Sequence, residues 1–200
     1  MLFIIHERIV KMDSAKNTEN KKSITFILQI KRLVFSAMFL ALALVLPFLT
    51  GQIPQIGSAL SPMHIPVLLC GFICGWPWGL GVGFIAPLLR NLLFGMPPVP
   101  YNISMAFELA VYGLLTGILY RVLPKKVPYI YVSLILSMIG GRIVWGVASY
   151  IIAGVRGTEF GLAAFWAGAV VNAIPGIILH IALIPPLVAA MKRARLMLNE

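Results

Sequence analysis

Charge is what this sequence has least of. Charged residues make up 11% of its 200 positions, and only six of them are Asp or Glu. A soluble globule carries nearer ~25%, because its surface must face water. Hydrophobic residues reach 60% and fall in long blocks that a soluble core of this size could not hide. That excludes a soluble domain and makes lipid the solvent. Cysteine is scarce as well: Cys70 and Cys74 stand four apart in an apolar run, with only His64 nearby. Two thiols and one imidazole do not make a metal centre, so both read as small residues packing in a helix. No Gly-x-x-x-x-Gly-Lys-Ser/Thr sequence occurs, and nothing else points to ATP use by this chain itself. His-Glu-x-x-His and a magnesium-binding acidic cluster are missing too. The expectation is a protein that is not an enzyme and holds no metal or cofactor.

The formal net charge of +10 raises the question of nucleic acid, and position answers it. Thirteen of the sixteen Lys and Arg lie in the N-terminal tail, the loop holding Arg121, Lys125 and Lys126, or the last nine residues. No basic stripe alternates with exposed aromatics, as an RNA or DNA binder requires. These charges read as topology signals and as anchors to anionic headgroups. Met1–Val10 is too short and, with Glu7 and Arg8, too charged for a signal peptide.

The apolar blocks set the organisation. Lys11–Lys22 reads as a polar, mobile cytoplasmic tail and Ser23–Arg32 as a short interfacial helix. Leu33–Thr50 is a first span of ~27 Å, close to the hydrocarbon thickness. Gly51–Pro62 reads as a loop. Met63–Gly95 is one long span or two short ones broken at Gly75-Trp76-Pro77-Trp78-Gly79, and Pro inside a helix favours the break. Tyr101–Tyr120, Tyr129–Ala153 and Gly161–Met191 follow, the last expected to bend near Pro175 or Pro185-Pro186. A double crossing by Met63–Gly95 puts all three basic clusters on the cytoplasmic side, as the positive-inside rule prefers. The expected fold is an all-α integral membrane protein: a six-transmembrane-helix bundle with both termini cytoplasmic. Residues 1–32 are then tail and interfacial segment, 33–195 the membrane domain and 196–200 a cytoplasmic end, in the plasma membrane. The sequence shows no internal repeat, so the inverted-repeat design of many secondary transporters finds no support.

Three charged residues stand within the spans: Arg90, Glu108 and Arg142. Each costs at least ~2.5–3.5 kcal/mol near a helix centre, so each needs a partner or a wet cavity. Counted from the outer ends, Arg90 lies ~6 Å deep, Glu108 ~10 Å and Arg142 ~16 Å. Tyr101, Ser104, Glu108 and Tyr112 share one helical stripe, and Trp145 lies on the face of Arg142. Asn91 and Asn102 flank the third-to-fourth connection, and Asn172 sits well down the sixth span. Aromatic and polar groups converging on a concave space make a small-molecule site. The competing expectation is that Glu108 only locks helices by pairing with Arg142 or Arg90. One carboxylate against two arginines mildly favours a ligand with a carboxylate or phosphate, with a neutral heteroaromatic still open. His64 reads as a helix-end residue able to touch a ligand, and His180 as packing. Gly71 and Gly75, and Gly113 and Gly117, have the spacing of close helix contacts. Ala37 and Ala41 have it in a span without charge, which suits contact with another membrane subunit.

Several of these stretches together resemble a known family. They are the basic tail, Ala37-x-x-x-Ala41, Ser61-Pro62-Met63-His64-Ile65-Pro66-Val67-Leu68, Gly71-x-x-x-Gly75, Arg90-Asn91-Leu92-Leu93-Phe94-Gly95-Met96-Pro97-Pro98 and Met105-Ala106-Phe107-Glu108. The pattern is similar to the substrate-binding S component of energy-coupling factor (ECF) transporters, from Leu33 to about Arg195. The resemblance implies a six-helix bundle that binds a vitamin or its precursor from outside. It implies a membrane coupling subunit and two cytoplasmic ATPase subunits as partners, with Ala37 and Ala41 docking on the former. It places the ligand in the outer halves of the later helices, under the first outside loop. The substrate-binding set expected is Arg90, Asn91, Tyr101, Asn102, Glu108, Tyr112, Arg142, Trp145 and Asn172. A self-sufficient secondary transporter or channel, with Glu108 carrying a proton, is the alternative.

Overall fold

A computed structural model describes the backbone of residues 2–50 and 60–199, and the side chains of 19–49 and 60–199. The described residues are almost wholly helical. In chain order they form α1 (Leu2–Val45), α2 (His64–Cys74), α3 (Trp76–Phe94), α4 (Tyr101–Val122), α5 (Val127–Arg156), α6 (Leu162–Ala169) and α7 (Ile174–Arg193). Short 3-10 turns follow α1 at Leu46–Thr50 and join α6 to α7 at Val171–Ala173. Five stretches are long and apolar enough to cross a membrane: Glu19–Leu49, Trp76–Phe94, Tyr101–Val122, Val127–Arg156 and Leu162–Arg193.

The sixth helix is α2, whose 11 residues amount to ~17 Å of rise, about half a hydrocarbon core. Every one of its side chains is buried, so protein rather than lipid surrounds it. Gly75 separates it from α3 at φ 96°, a left-handed conformation that Gly adopts without a Cβ clash. Trp76 and Pro77 then open α3 with proline near its N-terminus, where the missing N–H is not needed. Met63–Gly95 is therefore two helices broken at Gly75, as the Gly-Trp-Pro-Trp-Gly sequence predicts. The sixth span likewise breaks beside Pro175, while α7 passes through Pro185 and Pro186 unbroken.

The N-terminal part differs from expectation. α1 is one continuous helix, so Lys11–Lys22 is helical rather than a mobile tail, and Ser23–Arg32 is not a separate helix. No proline or glycine occurs before Pro47, and polarity alone does not end a helix. The loop expected at Gly51–Pro62 lies largely outside the described residues.

α4 is the centre of the bundle, packed on α2, α3 and α5. It comes so close to α2 and α3 because small residues face each other. A Cβ on Gly113 would overlap the Gly79 carbonyl, and one on Gly83 would overlap that of Leu109. Gly71 and Gly117 are as tightly placed, against Thr116 and Trp76. Backbone-to-backbone contact of this kind is how helices gain van der Waals energy in lipid, where burial from water offers none. α1 lies outside this core. Among its described side chains only Ser36, Phe39 and Ala43 are buried, continued by Pro47 in the turn that follows, at steps of three and four. Cys70 donates its S–H to Ser36 Oγ at 3.6 Å, tying α1 to α2.

The basic clusters gather at one end of the bundle. There Lys192 Nζ donates to the Lys125 carbonyl at 2.7 Å, and Arg32 reaches the carbonyl of Leu198. At the other end lie Leu44, Arg90 and the 95–100 turn.

Candidate functional site

Four helices bring a polar cluster together inside the apolar bundle. Glu108 and Tyr112 stand one turn apart on α4, so both side chains leave the same face. Arg142 reaches them from α5, His64 from the first position of α2, and His180 from α7. Glu108 Oε1 accepts the Tyr112 O–H at 3.0 Å and pairs with Arg142 Nη1 at 3.1 Å. His64 Nε2 approaches the same oxygen to 3.5 Å. The His64 ring meets Tyr112 edge-on at 5.3 Å and stacks on His180 at 5.8 Å with 21° between planes. The His180 ring also lies beside the Ser61 backbone.

Glu108 is 2% exposed, while the Arg142 side chain keeps 17% of its surface. The pair is formally neutral, which is what allows a carboxylate to sit this deep. Arg142 Nε and His64 Nδ1 find no hydrogen-bond partner. A buried polar nitrogen left unmet costs about 1–3 kcal/mol, so this cluster has donor capacity the chain does not use on itself. Among the described residues no three His, Cys, Asp or Glu side chains converge as metal ligands would.

The remaining expected residues lie elsewhere. Arg90 is buried apart from Glu108. It donates to the Leu44 carbonyl near the end of α1, and its guanidinium lies 4.8 Å from the Phe48 ring centre and 5.3 Å from that of Phe94. Aromatic faces and the negative end of α1 replace a counter-ion there. Asn91 donates to the Pro97 carbonyl at 2.8 Å and so shapes the α3–α4 turn. Tyr101 is 63% exposed, and Asn172 is exposed where the sixth span breaks. Asn102 is buried with its Oδ1 unpartnered. Trp145, one turn from Arg142, packs on Phe160 and Phe165 at 5.8 and 6.4 Å, with no room for a Cβ on Gly168 beneath it.

The structure thus joins Glu108, Tyr112 and Arg142 from the expected set and leaves Arg90, Asn91, Tyr101 and Asn172 outside the cluster. It adds His64 and His180. A signal for His180 was present, since it is the lone polar side chain from Ile174 to Met191. A lone imidazole in an apolar span needs a partner as much as a charge does.

Ala37 and Ala41 are both exposed, turned away from the buried face of α1. No curated protein and no solved structure matches the chain. A family model described as the ECF transporter, substrate-specific component, matches residues 31–188, from within α1 to within α7. With its apolar helices and buried polar cluster, the chain belongs to the family of substrate-specific components of ECF transporters.

Proposed function

We propose that this protein is the high-affinity capture subunit for uptake of a vitamin or related micronutrient, powered by partner ATPases through a membrane coupling subunit. The observation that carries the reading is the Glu108–Arg142–Tyr112–His64–His180 cluster. It is buried, it is formed by α2, α4, α5 and α7 together, and it retains unused donors. A helix lock needs only the ion pair; the second histidine and the unmet nitrogens suit a small polar solute. Arg142, which keeps some exposed surface, is the contact that recognises it, and Trp145 one turn away offers an apolar wall. Neither arginine stands free of a partner, since Arg142 faces Glu108 and Arg90 faces a carbonyl and two rings. The charge count that favoured an anionic solute is therefore weaker than the sequence suggested, and neutral heteroaromatic solutes fit as well.

In this reading the exposed Ala37 and Ala41 face is where the coupling subunit docks, and both termini are cytoplasmic. The test is uptake in cells, with co-purification of an ATPase-bearing complex. Ala37→Trp and Ala41→Trp, each on an exposed face, should leave solute binding intact and abolish uptake. Normal transport by both variants would remove the docking role from α1.

A further inference from the structure

α1 is the most loosely held of the long helices, since residues 19–31 are exposed and only a narrow face is buried beyond them. The stretch of it that packs on the bundle, from Arg32 to Leu44, is nevertheless fixed at each end by an arginine and a backbone carbonyl. At one end Arg90 holds Leu44 of α1. At the basic end the roles reverse: Arg32 of α1 donates to the Leu198 carbonyl from Nε at 3.1 Å and from Nη2 at 2.5 Å.

Leu198 belongs to a segment that folds back under the bundle after α7. Arg195 takes a left-handed φ of 57°, and its N–H and that of Leu196 return to the carbonyls of Lys192 and Met191 at 3.1 and 3.0 Å. This pairing ends a helix and reverses the chain. The Leu198 N–H then reaches the Ile73 carbonyl at 2.9 Å. Asn199, 7% exposed, donates to the Gly117 carbonyl at 3.0 Å and to that of Gly71 at 3.5 Å. The carbonyls of Gly71 and Ile73 belong to the last turn of α2: that of Gly71 also accepts the Gly75 N–H at 3.2 Å, while that of Ile73 loses its helical partner because Pro77 has no N–H to give. Met197 packs on the core between these polar contacts. Six residues thus join α1, α2, α4 and α7.

We infer that segment 194–199 is a strap that sets the tilt of α1 against the bundle, and that Arg32 and Asn199 are positioning residues for the docking of the coupling subunit. The inference rests on the docking role proposed for α1. Ala37 lies five residues after Arg32, so a helix free to swing at Arg32 presents its small-residue face in many orientations. Apparent affinity for the partner then falls by the fraction of molecules in the competent one. The solute cluster is separate, because Glu108 and Gly117 are nine residues apart, about 14 Å along α4.

The experiment compares Arg32→Ala, Arg32→Lys and Asn199→Ala in the full chain, co-expressed with coupling subunit and ATPases. Arg32→Ala loses both bonds to Leu198, and uptake and co-purification should fall about tenfold, the weight of one charge-assisted hydrogen bond. Arg32→Lys, keeping the charge without the fork, should fall between. Affinity for the solute that co-purifies with the wild type should stay within about twofold across all three. A second readout needs no partner: spin labels at exposed Gln29 and Arg121, with Cys70 and Cys74 replaced, should give one narrow distance distribution that broadens in Asn199→Ala. Wild-type uptake and an unchanged distribution would overturn the strap. So would a loss of solute affinity that parallels the loss of transport. Should the wild type itself neither co-purify with a coupling subunit nor need one for uptake, the proposed function fails instead, and the label distances alone judge the strap.

Discussion

Removing Glu108 separates a solute site from a helix lock. In Glu108→Ala the Arg142 guanidinium loses its counter-ion at 3.1 Å while most of its surface stays buried, and the Tyr112 hydroxyl loses its acceptor at 3.0 Å. Breaking a buried ion pair from one side costs about 3–5 kcal/mol, more than the net value of the pair itself. The double variant Glu108→Leu with Arg142→Met removes both charges at similar volume and should recover most of that stability. Stability is read from reversible unfolding of purified protein in mixed micelles, and binding from titration of the solute released by the wild type. The double variant should be folded, yet bind that solute more weakly by at least about 2 kcal/mol, roughly 30-fold, because the buried partner of its polar group is gone. A double variant with wild-type affinity would show that the cluster only locks helices. A single variant as stable as the wild type would show that the ion pair carries little energy.

Three further outcomes follow from the same geometry. Gly113→Leu puts atoms into the Gly79 backbone, so α3 and α4 must part; overpacking of this kind costs about 1–3 kcal/mol or more, and thermal unfolding in detergent should register it. Arg90→Lys keeps the charge but loses the planar contacts with Phe48 and Phe94, so hydrogen exchange at the end of α1 should speed up with little change in solute affinity. A loss of affinity without faster exchange would return Arg90 to the solute site. His180→Phe keeps a flat ring against His64 and removes only the ring nitrogens, so affinity should weaken by about 1 kcal/mol, some fivefold, with stability held; unchanged affinity would make His180 packing alone.

The sequence disclosed the spans because lipid leaves little choice: an apolar run of span length must be helical and must satisfy its own backbone. A break within Gly75–Gly79 and the glycine contacts of α4 were legible too, since each rests on one residue's backbone or bulk, whereas the bend of the last span could be narrowed only to Pro175 or Pro185-Pro186. The unbroken α1 was not legible, because a polar stretch with no proline or glycine has no local mark of where a helix stops. For the cluster, charge in an apolar span flagged Glu108 and Arg142, and four-residue spacing added Tyr112. Spacing says which residues share a face but not which neighbour that face meets. Rotation of each helix about its axis decides that, which is why Arg90 and Tyr101 turned away from Glu108 while His64 and His180 turned toward it. Asn172 lies where the helix breaks, so counting turns from Gly161 could not place it.

The most direct test of the account is mass spectrometry of small molecules released from gently purified, detergent-solubilised wild-type protein. The prediction is one vitamin-like solute at close to one per chain, absent from Arg142→Ala, with no transport by the purified protein alone in liposomes. An empty protein that moves a solute unaided down or against a gradient would contradict it, and Glu108 would then be read as the proton carrier of a self-sufficient transporter.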